Sequence, residues 1–119
     1  MATIQSVQPI AAGFHYAIRL QATGPQSPAF PFGCELMTEV RAYVGAPVSE
    51  GILSTANQTI IRVDDDTIEL HFPSSMTGGL TNSVAVIDLV RTDPSPDQWM
   101  SISVQIPLVR PVTQPGADA

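Results

Sequence analysis

The chain contains no lysine. Among its 119 residues only five are basic, all of them arginine (Arg19, Arg41, Arg62, Arg91 and Arg110), against eleven acidic ones, for a formal net charge of −6. Nucleic-acid backbones and anionic lipid surfaces attract clustered positive charge, so neither is an expected partner. A single cysteine, Cys34, excludes an intrachain disulfide. No apolar run approaches the ~18–20 residues of a membrane-spanning helix. Residues 1–14 lack the basic start and long apolar stretch of an export signal, so secretion by a signal peptide is not expected. Charge of either sign is sparse as well: 13% of residues are charged, about half the ~25% usual in globular domains.

What is present points to strands. Hydrophobic residues make up 44% of the chain, and eleven prolines and eight glycines punctuate it. A helical bundle of this length would carry more charged residues on its outer faces. A low-charge chain rich in Val, Ile, Thr, Ser and Pro suits an all-β fold with many turns. A surface this poor in charge also suits a protein that works covered by partners.

The alternation of side chains places the elements. Residues 1–12 read as an N-terminal arm or edge strand, 13–110 as a single β-sandwich domain, and 111–119 as a flexible C-terminal tail. Residues 14–20 alternate, with Phe14, Tyr16, Ile18 and Leu20 on one face and His15, Ala17 and Arg19 on the other. Residues 22–33 form a proline-rich loop in which Phe30 and Phe32 are expected to lie on the body of the domain. A second strand spans 34–44, with Cys34, Leu36, Val40, Ala42 and Val44 inward. A short strand at 52–55 precedes a hairpin, 59–63 and 67–72, joined by Asp64, Asp65 and Asp66. One helical turn capped by Ser74 or Ser75 is expected next. The run at 83–91 is apolar on both faces apart from Asp88, as in a strand covered on both sides, and the last strand spans 99–109. About seven antiparallel strands with this spacing of turns indicate an immunoglobulin-like β-sandwich.

Few residues suggest chemistry. His15 and His71 fall on outward faces, and no nucleophile elbow, metalloprotease motif or phosphate loop accompanies them. Cys34 is in phase with Leu36 and Val40 and reads as a core side chain. Asp64, Asp65 and Asp66 read as a hairpin turn, with a calcium loop as the alternative. Trp99, Tyr43, Phe30 and Phe32 read as core anchors and loop clamps, with a sugar-stacking platform as the alternative. Asp88, inside an apolar strand, calls for a partner, and Arg41 or Arg91 could supply it in a structural clasp. The expectation is a non-enzyme with no catalytic residues, no cofactor and no metal.

Four segments in order carry a resemblance: GFHYAIRLQ; Phe32 leading into LMTEVRAYVG; TIIRVDDDTIELHFPSSMTGGL; and AVIDLVRTD followed by WMSISVQIPLVRPVT. Over residues 13–113 the chain resembles small phage and prophage tail proteins and the immunoglobulin-like N-terminal module of phage baseplate upper proteins. The resemblance implies a structural component of a tail, baseplate or neck, found in the virion or, before assembly, in the host cytoplasm. Its partners would be other virion or assembly proteins, and it would be a homo-oligomer. The resemblance carries over a pairing role for Arg41 and Asp88, and no catalytic residue. A carbohydrate- or cell-surface-binding module on the same fold is the competing expectation.

Overall fold

A computed structural model of the chain describes residues 2–3, 8–22, 29–80 and 83–113. Most of the proline-rich loop (23–28), the end of the expected tail (114–119) and residues 4–7 of the expected arm lie outside the described residues. Among the described residues nine strands and one short helix follow in order: β1 (Ala2–Thr3), β2 (Ile10–Ala11), β3 (Tyr16–Ala22), β4 (Leu36–Val40), β5 (Gly51–Ser54), β6 (Ile60–Asp64), β7 (Thr67–Phe72), α1 (Ser74–Gly78), β8 (Val84–Arg91) and β9 (Gln98–Val109). They form a four-stranded sheet, β1-β3-β7-β6, and a five-stranded sheet, β2-β9-β8-β4-β5. The fold is therefore all-β and sandwich-like, with no disulfide, since Cys34 is a free, buried thiol.

Period-2 alternation decides which side chains meet in the middle. In β3 the even residues Tyr16, Ile18 and Leu20 are buried and Ala17, Arg19 and Gln21 are exposed. In β7 Ile68, Leu70 and Phe72 are buried. From the other sheet Leu36, Val40, Leu53, Ile87, Leu89, Val104 and Ile106 join the same cluster. One core thus holds both sheets together, and each fully buried aliphatic or aromatic side chain contributes about 1.5–3 kcal/mol. Phe72 has no exposed surface and meets Tyr16 edge-on, ring centroids 5.6 Å apart.

The β6–β7 hairpin forms where the alternation places it, and its acidic turn holds Ala29 and Phe30, at the end of the proline-rich stretch before β4. The Asp66 amide donates to Asp64 Oδ1 at 2.9 Å, a local turn bond. The Ala29 amide donates to Asp66 Oδ1, the Phe30 amide to the Asp65 carbonyl, and Arg62 Nε to the Phe30 carbonyl. These bonds seat Phe30 in the core with no exposed surface. Phe32 departs from the expectation. It is 92% exposed and lies outside the core, with the Arg62 guanidinium 5.8 Å from its ring centre.

Other boundaries shift for local reasons. Phe14 does not begin β3; it lies exposed in the bend before it. The strand expected to reach residue 44 stops at Val40 and touches β8 once more through the Arg41–Val86 bridge. The Arg41 guanidinium donates to the Ala46 carbonyl at 2.7 Å, closing a turn in which Gly45 takes φ +83°. That positive φ is the conformation glycine adopts without strain. Neither Ser74 nor Ser75 caps α1: Pro73 occupies the N-cap position, and no side chain caps it. Pairing is antiparallel except for β2, which runs parallel to β9 through Ile10–Leu108 and Ala11–Val109.

Candidate functional site

The five-stranded sheet exposes several large apolar side chains on its outer side. Along β9 the side chains of Ile102, Val104, Ile106 and Leu108 are buried in the core, and Trp99, Ser103, Gln105, Pro107 and Val109, of the opposite parity, face solvent. Trp99 is 56% exposed, Tyr43 is 55% exposed in the turn after β4, and Ile52 on the edge strand β5 is 48% exposed. Sequence reasoning preferred Trp99 and Tyr43 as core anchors, and the structure corrects this. The signal was present in the parity of β9, since Trp99 is out of phase with Met100 and Ile102.

A depression of about 420 Å³ opens between Trp99 and Tyr43, lined also by Arg41, Val86, Asp88 and Gln105 among others. Asp88 is exposed, in contrast to the expected paired burial inside a strand covered on both faces. Its carboxylate accepts the Trp99 indole N–H at 2.9 Å. The pair is diagonal across the β8–β9 ladder: Val90 opposes Trp99, Ser103 opposes Asp88, and the register shifts between them. That irregularity lets the large ring lean back over β8.

No ion pair joins Arg41 and Asp88 among the described residues. Arg41 meets the Glu39 carboxylate at 3.0 Å and the Ala46 carbonyl at 2.7 Å. Arg91 is taken by Asp93 in a two-point contact at 2.7 and 2.8 Å. The expected clasp is thus replaced by two separate anchors. Arg41 shapes the turn that carries Tyr43, and Asp88 orients Trp99. What Arg41 and Asp88 share is the lining of one depression.

The remaining candidates each have partners elsewhere in the fold. Burial pushes the Cys34 thiol up, and this outweighs the opposing pull of the Arg91 and Arg62 charges. A thiol held protonated is a poor nucleophile. The three aspartates of the hairpin point to separate partners: Asp64 to the Asp66 amide, Asp65 to Arg62, Asp66 to the Ala29 amide. Among the described residues no three metal-ligating side chains converge. The hydrogen bonds of His15 and His71 run to each other and to Glu69 on the outside of the four-stranded sheet. Among the described residues no helix is long and apolar enough to cross a membrane. In comparison with known proteins, no family model, no curated protein and no solved structure matches the chain.

Proposed function

We propose that this protein is a non-enzymatic structural or assembly component of a phage or prophage particle, associated with a tail, baseplate or neck. It acts by protein–protein packing through the outer face of its five-stranded sheet. The observation that carries the packing role is the exposed Trp99–Tyr43 pair around the depression lined by Arg41 and Asp88. Trp, Tyr and Arg are the residues that dominate binding energy where proteins meet. What supports membership of a particle is the sequence resemblance over residues 13–113. Partners are other virion or assembly proteins and, because such assemblies are symmetric, further copies of the chain.

The finer architecture belongs to the same reading: an immunoglobulin-like β-sandwich. Its support is the strand order. The order β1-β3-β7-β6 corresponds to A-B-E-D of the immunoglobulin arrangement, and β9-β8-β4-β5 to G-F-C-C′.

A second reading has its own support. The exposed Trp99 ring, with Asp88 and Gln105 beside it, also suits stacking against a sugar, as in a carbohydrate- or cell-surface-binding module. Two experiments separate the readings. Particles induced from the source culture are banded on a gradient and their peptides identified after chymotrypsin digestion. Stoichiometric co-banding with tail or capsid proteins is the expected result, and particles complete without the chain overturn the structural role. A glycan screen finding millimolar or tighter binding that is lost in Trp99→Ala establishes the second reading.

A further inference from the structure

Nearly every arginine of this protein is already matched by a carboxylate. With no lysine in the chain, its strongly basic side chains are the five arginines. Arg19 meets Glu69, Arg41 meets Glu39, Arg62 meets Asp65 and Arg91 meets Asp93. Arg110 is the exception. Its Nη2 donates to the Leu80 carbonyl at 3.2 Å, and no carboxylate of the described residues reaches it. It is exposed just past the end of β9, next to the half-exposed Val109 and two residues before the fully exposed Val112.

The depression beside Trp99 has the opposite excess. Its charged side chains are Glu39, Arg41 and Asp88. Glu39 and Arg41 neutralise each other at 3.0 Å. Asp88 Oδ2 accepts from the indole, a neutral donor, and Oδ1 has no partner among the described residues. One uncompensated negative charge thus lies beside the Trp99 ring and the exposed side chains of Tyr43 and Val44. A guanidinium suits such a place, because it donates to a carboxylate in its own plane while its flat face rests on an aromatic ring.

The two features cannot meet within one chain. Trp99 and Arg110 lie at opposite ends of β9 (Gln98–Val109), and at about 3.3 Å per residue they stand roughly 35 Å apart along the strand. Only the Arg110 of another molecule reaches the depression.

We propose that a second copy of this chain fills the depression: its Arg110 pairs with Asp88 against the Trp99 ring, and its Val109 and Val112 cover the apolar rim at Tyr43 and Val44. The inference rests on the packing role proposed above and names the partner of that face and the residues that meet. Two copies laid antiparallel make the contact twice, and a head-to-tail string makes it once per neighbour. The long-range repulsion between two chains of net charge −6 is screened beyond about 10 Å at 0.1 M salt, whereas the paired charges lie closer than that.

The test is sedimentation equilibrium of the full chain at concentrations up to about 1 mM in roughly 0.1 M salt. The unaltered chain is expected to associate. Asp88→Asn keeps an acceptor for the indole but loses the charge, and should weaken association about 10–100-fold. Asp88→Arg alone and Arg110→Asp alone should each be monomeric. An equimolar mixture of the two should associate again, since each reversal supplies the charge that the other lacks. Should the thermal melt show Asp88→Arg unfolded, Asp88→Asn and Arg110→Asp carry the test, the latter at an exposed strand end. An unaltered chain that stays monomeric, association unchanged by Arg110→Asp, or a mixture of folded variants that stays monomeric overturns the proposal. The banded particles tell that failure from failure of the packing role. Particles that contain the chain with Trp99 protected keep the role with another protein as partner. Particles complete without the chain overturn the role even where the chain associates with itself.

Discussion

The two outward faces of this protein follow the same alternation rule and present different chemistry. On the four-stranded sheet the outward positions of β3 and β7 hold Arg19, Glu69 and His71, with His15 just before β3, and their polar groups bond to one another. On the five-stranded sheet the outward positions hold Trp99, Ile52 and Val86, with Tyr43 beside them and Asp88 turned to the indole. The first face is saturated with its own hydrogen bonds. The second leaves large aromatic surface exposed, and apolar area has a favourable use only when something covers it, at about 25 cal/mol per Å². Neither face is explained by stability alone. An exposed pair such as Arg19–Glu69 contributes at most ~1 kcal/mol, and a half-exposed tryptophan gains little from the chain's own core.

What the two faces share is the core, so breaking it gives the largest effect. Phe72→Ala should cost about 3–5 kcal/mol in urea unfolding, because the ring is fully buried against Tyr16. The loss should appear equally with probes on either face, which tests whether the sheets unfold as one unit. Next comes a change confined to one side. Thr77→Val leaves the Gly13 amide and the Phe14 carbonyl without their partner and should cost about 1–3 kcal/mol. It should disturb the His15 resonances and leave the Trp99 fluorescence as it was.

Asp88→Ala sharpens the contrast on the other side. A buried clasp would make this change strongly destabilising. Because Asp88 is exposed and bonded to Trp99, stability should move by no more than about 0.5 kcal/mol. The indole emission should shift as its N–H loses the carboxylate.

The smallest expected effect concerns acid. The Arg91 contact and the Glu35 amide bond hold the Asp93 carboxyl at about 2, and Glu69 is held low by Arg19 and His71. A carboxyl depressed in the folded state stabilises it fully above the unfolded value near ~4. That stabilisation disappears as pH falls through the folded value. Thermal melts should therefore lose ground between about pH 4 and pH 2, and Asp93→Asn should flatten part of that slope. An unchanged slope would place the Arg91–Asp93 contact outside the stability of the fold.

Much of the fold was legible in the order of side chains. The parity of residues 16–22, 67–72 and 102–108 placed three strands and their buried faces, and the acidic turn of the hairpin was marked by Asp64, Asp65 and Asp66. The two-residue strands β1 and β2 were not legible, because two residues have no period. Nor was the parallel pairing of β2 with β9, which depends on where the arm returns. The outward site was half legible. The parity of β9 puts Trp99 outside, yet its size argued for the core. Asp88 was marked as exceptional for a sound reason, its apolar neighbours, but its partner was an indole two strand positions away across an irregular ladder. The histidines could be assigned to outward faces, while their contact required knowing that β3 and β7 are neighbours.

Under the proposed packing role, the Trp99 face is the one covered on assembly. Oxidative footprinting of the free chain and of the banded particle tests it directly, by comparing modification of Trp99 and Tyr43 with that of His15 and His71. The account predicts strong protection of Trp99 and Tyr43 in the particle, with the two histidines modified as in the free chain. Equal modification of Trp99 in both states, or protection confined to the histidine face, would contradict it.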